Sequence, residues 1–146
     1  MSIGSDFKTY AKTIAAITTL IGAGAEARIF DRVGKQGGNA PWILYFVAGG
    51  QVERHLGGLS GAAQTILQTW CYGNDTDEAD TLDAAVRSSL VGSSGLGGRG
   101  AMGSTTVLSI QDSAPFWDED LSKDKSDSYR PFVRRVYTIT HTEATT

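Results

Sequence analysis

Residues 42–72 read Trp42-Ile43-Leu44-Tyr45-Phe46-Val47-Ala48-Gly49-Gly50-Gln51-Val52-Glu53-Arg54-His55-Leu56-Gly57-Gly58-Leu59-Ser60-Gly61-Ala62-Ala63-Gln64-Thr65-Ile66-Leu67-Gln68-Thr69-Trp70-Cys71-Tyr72. The two ends of this stretch are strand-like, and the middle is not. Residues 42–48 are a dense run of aromatic and β-branched side chains, too short for an independent helix, which predicts a strand buried on both faces. Residues 63–72 alternate instead. Ile66, Trp70 and Tyr72 fall on one face, and Thr65, Leu67, Thr69 and Cys71 on the other. Paired glycines at 49–50 and 57–58 bracket a polar middle. Two strands joined by about a dozen residues predict a hairpin with a long, mobile arm.

Working outward, residues 6–21 place Phe7, Tyr10, Ala11, Ile14, Ile17 and Ile21 on one helical stripe. Ser5 is the expected N-cap, and Asp6 sits where the helix dipole favours an anion. Gly22 and Gly24 end that helix. Residues 27–33 alternate in polarity and predict a short strand. Residues 76–90 predict a second helix. Asp75 or Thr76 caps it, acidic residues crowd its first turn, and Leu82, Ala85, Val86 and Leu90 form the buried stripe. Residues 92–104 carry six of the chain's 18 glycines and predict a flexible surface loop. Strands are expected at 105–111 and 129–141, separated by a polar, acidic loop at 112–128 that carries Phe116-Trp117. The sum is one α+β domain over residues 1–146: a largely antiparallel β-sheet, two α-helices packed on one face, and a long β-hairpin arm.

Composition limits what such a domain does. The 146 residues carry 13 basic and 16 acidic side chains, a net charge of −3, which argues against a nucleic-acid binder. The single cysteine, Cys71, permits no intrachain disulfide. The N-terminus shows no basic and apolar leader pattern. The longest apolar run, Ala40 to Ala48, is far short of the ~20 residues of a membrane span. A soluble protein is the expectation.

Catalytic and ligand patterns are weak throughout. His55, His141 and Cys71 are far apart in sequence and show no metal-ligand spacing, so no metal is expected. Gly95-Leu96-Gly97-Gly98-Arg99-Gly100 spells GxGxxG, but it follows a helix and precedes a strand, the reverse of the context that cradles a pyrophosphate. Asp118, Glu119 and Asp120 are adjacent in a loop rather than held across a cleft. No cofactor and no enzyme activity are expected. Arg134 and Arg135 face opposite sides of the last strand, so they form no basic patch. The aromatic pair Phe116-Trp117 either tucks onto its own core or docks on a partner. The balance favours an interaction protein.

The segment His55-Leu56-Gly57-Gly58-Leu59-Ser60-Gly61-Ala62-Ala63-Gln64 gives this profile a family. It resembles the tail-completion proteins of long-tailed bacteriophages and prophages, also called tail terminators or tail-to-head joining proteins. In that family a His-Leu-Gly-Gly-x-Ser-Gly-x-x-Gln stretch leads into a strand ending near a Cys-Trp pair, here reversed as Trp70-Cys71. The alanine-rich pattern Leu82-Asp83-Ala84-Ala85-Val86-Arg87 and the strand Arg135-Val136-Tyr137 also fit, as do Asp31-Arg32-Val33 and Pro41-Trp42. The glycine loop at 92–104 departs from the pattern.

The resemblance implies a virion structural protein, made in the host cytoplasm, which forms a ring, usually of six copies. Such a ring caps the tail tube and joins it to the head connector, and DNA passes through without specific binding. On this reading Glu53, Arg54, His55 and Leu56 of the arm and Phe116 and Trp117 of the late loop are the candidate contacts with neighbouring copies, the tail tube protein or the connector. Two alternatives stay open: a head–tail connector or neck adaptor of the same particle, and a small hydrolase or nucleotide-binding enzyme.

Overall fold

The computed structural model describes residues 3–31, 40–55, 58–93, 95–120 and 130–142, with backbone alone at 49–55, 58–62, 119–120 and 130. Two short helices, α1 (Ile3–Ala11) and α2 (Ala15–Ile21), lead through a 3₁₀ turn (Gly24–Glu26) into strand β1 (Ile29–Asp31). Strands β2 (Trp42–His55) and β3 (Gly58–Tyr72) form the hairpin. Helix α3 (Thr76–Val91) follows, and then β4 (Gly100–Met102), β5 (Thr105–Asp112), β6 (Phe116–Asp120) and β7 (Arg130–Thr142). The described strands form one sheet ordered β1-β2-β3-β7-β5-β4, with β6 also paired to β7. Only β1 runs parallel to its neighbour, β2.

One face of this sheet carries the core. Ile43 and Tyr45 of β2, Leu67 and Cys71 of β3, and Tyr137 and Ile139 of β7 are buried beneath the helices. Helix α3 contributes Leu82, Val86 and Leu90, while α1 and α2 contribute Phe7, Ile17 and Ile21. Apolar positions spaced every second residue on strands and every third or fourth on helices bring these side chains together. The expected strand at 42–48 is therefore fully covered on one face only. Ile43 and Tyr45 are buried, whereas Leu44 and Phe46 are half-exposed.

Several boundaries differ from expectation, each for a physical reason. The expected helix at 6–21 is two helices, so the helical layer has three members. Thr13 and Ile14 bond back to Tyr10 and Ala11 in tight i to i−3 steps, and the Thr13 hydroxyl donates to the Tyr10 carbonyl at 2.6 Å. Ile14 is extended, at φ −94° and ψ 113°. A β-branched pair whose threonine competes for a backbone carbonyl weakens the helix there. Ser5 lies inside α1 rather than capping it. The expected strand at 27–33 spans three described residues, and 32–33 lie outside the described residues. By contrast, Asp75 caps α3 as expected, accepting from the Glu78 amide at 2.7 Å.

The two glycine-bearing connections are more ordered than expected. The hairpin strands run on to His55 and from Gly58, so the dozen-residue connection shrinks to residues 56–57. Gly49 sits at a register slip, and residues 60–62 bulge opposite Glu53. In the segment 92–104, backbone amides fold back onto the end of α3. Leu96 bonds the Ser89 carbonyl, Gly97 that of Gly92, and Gly98 that of Leu90. Gly97 and Gly98 take φ of 65° and 77°, which side chains resist. The segment then forms β4, whose Met102 is fully buried.

The expected loop at 112–128 also holds a strand, β6. It continues β5 along the same edge of β7 after a three-residue break at 113–115. Pro115 has no amide for the ladder, and the Ser113 hydroxyl accepts from the Val136 amide at 3.1 Å. Residues 121–128 lie outside the described residues.

Candidate functional site

The hairpin tip is the first candidate. Pairing between β3 and β7 stops at Ala62 and Thr142, and β1 covers only Ile43–Tyr45 of β2. Beyond those points Arg54 pairs with Leu59 and His55 with Gly58. Among the described residues, the outer edge of β2 from Phe46 to His55 has no strand beside it. Glu53, Arg54 and His55 therefore sit on a two-stranded ribbon with an open edge, the kind of edge that another chain can extend. Leu56 lies outside the described residues.

The aromatic pair on β6 is the second. Phe116 pairs with Arg134 and Trp117 with Val133, so the two rings point to opposite faces of the sheet. Both are exposed, at 51% and 55%. Trp117 lies on the helix side, where its indole Nε1 donates to Asp80 of α3 at 2.5 Å. It borders a groove of about 270 Å³ with Thr76, Ala79, Asp118, Pro131 and Phe132. Phe116 lies on the face away from the helices, 5.5 Å beneath the Arg134 guanidinium. The two are not one patch, and a strand at 116–120 was the missing observation. The warning in the sequence is alternation: Phe116 and Asp118 fall on one side, Trp117 and Glu119 on the other.

Sequence reading missed the face that Phe116 joins. Cross-strand register sets Leu44, Trp70, Arg134 and Phe116 in one row across four strands. Beside it Trp42 stacks on Tyr72 at 5.0 Å, and Tyr72 meets Phe132 at 5.2 Å. On the other flank lie Phe46, Val136 and Ile66. No described helix packs on this face.

Buried polar groups hold the scaffold together. Arg135 donates from Nη2 to Asp83 Oδ2 at 2.8 Å and from Nη1 to the Ser113 carbonyl at 2.9 Å. It thus fastens α3 to β7 and fills the break between β5 and β6. Burial would lower its pKa, but the hydrogen bond and charge of Asp83 outweigh that and raise it. Arg87 closes the network on Asp112 at 2.6 Å. Cys71 is fully buried beside these groups, and burial pushes its thiol pKa well above the usual value, which leaves it unreactive. No cluster of metal-ligating side chains occurs among the described residues. In the GxGxxG stretch the Leu96 and Gly98 amides bond carbonyls of α3 and the Gly95 and Gly97 amides bond that of Gly92 at its C-cap, so these four are not free to bind a phosphate.

Asp6 is a second buried anchor. Its carboxylate accepts from the Ser104 amide and hydroxyl and from the Thr105 hydroxyl, tying α1 to the β4–β5 turn. Gly103 at that turn has φ 61°, and a Cβ there would meet Asp6 Oδ1 at 2.9 Å. Burial raises the Asp6 pKa, but the bonds from Thr105 and Ser104 outweigh it, and the net shift is downward. A lowered carboxyl pKa stabilises the fold above the unfolded value, and that contribution fades as pH falls through the folded value. Asp6→Asn is expected to cost about 1–3 kcal/mol at pH 7 and to lose that difference progressively as pH falls below the ordinary carboxyl value of 3.8. Urea unfolding at the two pH values measures it, and a pH-independent difference would refute the ionic account.

The family model "Tail completion protein gp17" matches residues 9–113. The chain belongs to that family. The match covers the hairpin, α3 and β5 but stops before β6 and β7, so Phe116 and Trp117 lie beyond it. Among solved structures, a chain from "Virion of native gene transfer agent (GTA) particle" superposes with a TM-score of 0.62 at 10% identity, covering 97% of this chain and 96% of that one. At that identity the likeness is one of fold, and it extends over β6 and β7. No curated protein matches the chain significantly. Family membership makes this a phage tail structural protein.

Proposed function

We propose that this protein completes a phage-type tail by forming a ring on the end of the tail tube and offering that ring to the head connector. The observation that carries the reading is membership of the tail-completion family over residues 9–113. The β2 edge, open among the described residues, suits it, because such an edge gains hydrogen bonds when a neighbour's strand is added. The virion is the site of action in this reading, with assembly in the host cytoplasm. The ring is a homo-oligomer, six copies in the usual pattern, and DNA passes through it without specific contacts. The net charge of −3 agrees with a lumen that does not grip DNA.

The decisive experiment mixes purified protein with tail tubes that lack it and images the tube ends by negative stain. A ring of tube-like width on the tube end is the expected result. Binding to head connectors with none to tubes would replace this reading with the neck adaptor. Phe116→Ala and Trp117→Ala, tested separately, are expected to stay folded. The capping defect falls on whichever face meets a neighbour. Normal capping by both would remove them from the contact surface.

A further inference from the structure

The face of the sheet turned away from the helices is largely apolar over four strands and, among the described side chains, carries one cation, Arg134, and one carboxylate, Asp118, with Gln68 and Thr138 beside them. Trp42, Leu44, Phe46, Ile66, Trp70, Phe116, Phe132 and Val136 share it. Ile66 is 38% exposed there, and Phe116 more so. Arg134 stands among them, exposed, with the Phe116 ring as its neighbour and no carboxylate within ion-pair distance among the described residues. A guanidinium seated on aromatic rings is partly desolvated, so a carboxylate brought to it gains more than at an open surface.

The matching charge lies on the opposite layer of the same molecule. The first turns of α3 hold Asp75, Asp77, Glu78 and Asp80. Asp75 accepts from the Glu78 amide and Glu78 from Asn74, so both are spent on capping. Asp80 accepts from Trp117 with one oxygen. Asp77 is exposed, and its carboxylate has no partner among the described residues. An acidic helix end on one layer and, on the other, an arginine with no ion pair among the described residues in a largely apolar field are complementary between copies, not within one.

We propose that the open sheet face of one copy seats against the acidic start of α3 in a second copy, with Arg134 meeting Asp77 and Asp80. This rests on the ring reading above and assigns its contacts. Because the two patches lie on opposite layers, the contact is head to tail, and each added copy leaves one of each patch free until the chain of copies closes. Four strands about 4.8 Å apart and seven residues of about 3.3 Å give a footprint of roughly 400 Å². That is about half of one side of a standard interface, so a single contact is weak and closure supplies the strength.

The test is a charge swap. Wild type, Arg134→Glu, Asp77→Lys with Asp80→Lys, and the combined triple variant are compared by sedimentation from about 1 μM to about 1 mM. Wild type is expected to associate. Each half-swap weakens association at least about tenfold. The triple variant restores it, and so does an equal mixture of the two half-swaps, since alternating copies again present opposite charges. Ile66→Glu, on the open face and far from α3, keeps its fold and loses association. Circular dichroism confirms folding for every variant.

A wild type that stays monomeric over the whole range, half-swaps that associate normally, or a triple variant and mixture that fail to recover would each overturn the proposal. Tube capping by wild type without rescue by the swap would overturn this interface and leave the ring reading standing. Rescue in solution without any capping would do the reverse.

Discussion

Asp83→Ala lowers stability by about 3–5 kcal/mol and the melting temperature by roughly 10–15 °C. Side-chain exposure of Arg135 is 9% and of Asp83 is 6%, so the pair is removed from water. Arg135 Nε lies 3.3 Å from both Asp83 oxygens, and Nη2 lies 2.8 Å from one. Without Asp83 the guanidinium keeps the Ser113 carbonyl and a longer contact of 3.3 Å to Asp112. Much of its charge is then buried without compensation. That penalty is a large part of a domain's total of about 5–15 kcal/mol. Removing both partners together, Asp83→Leu with Arg135→Met, is expected to recover most of the loss, since well-packed apolar replacements of buried pairs are often neutral. Guanidinium unfolding measures all three proteins. An Asp83→Ala variant within about 1 kcal/mol of wild type would show that the pair does not hold α3 to the sheet.

Phe7→Ala removes about 3–5 kcal/mol by a different route, the cavity it leaves. Phe7 is fully buried and meets Tyr45 of β2 edge to face, with ring centroids 5.6 Å apart at 71°. Helix α1 has nine residues, fewer than an isolated helix needs to persist in water. Its helical form therefore depends on docking through Phe7, Ile3 and Ala11. Loss of the ring loosens Asp6 from Ser104 and Thr105 as well, because both contacts hold the same helix. Hydrogen exchange is expected to rise first in residues 3–11 and at the 103–105 turn, before the hairpin. Uniform protection across the molecule would contradict this order.

Much of the architecture was legible because its signals are local. The hairpin strands and α3 are marked by alternation, by a capping aspartate and by acidic residues in the first turn. The α+β class, the single α3 stripe and the opposite orientation of Arg134 and Arg135 follow from those periods. The break at Thr13-Ile14 was not legible, because one apolar stripe continues through it and only side-chain competition for a carbonyl interrupts it. Strand β6 was hidden by its composition. Phe116-Trp117-Asp118-Glu119-Asp120 reads as an acidic loop tip, and only pairing with β7 makes it a strand. The glycine segment misled in the same way, since its amides are ordered by carbonyls of α3 that are up to eight residues away.

The candidate contacts divide along the same line. The arm was legible from its paired glycines and the His55 to Gln64 pattern, which are properties of consecutive residues. The open aromatic face was not. Its members come from β2, β3, β6 and β7, and each strand alone shows only every second residue of it. Sequence by itself determined the elements, the family resemblance and the residues able to line a core, because periodicity and capping act within a few residues. Tertiary structure alone decided which face of the sheet no described helix covers and that Phe116 and Trp117 look in opposite directions. It also decided that Arg134 has no ion-pair partner among the described residues while Arg135 has two. Strand register settles those outcomes, and register depends on partners as far apart in sequence as Ala62 and Thr142.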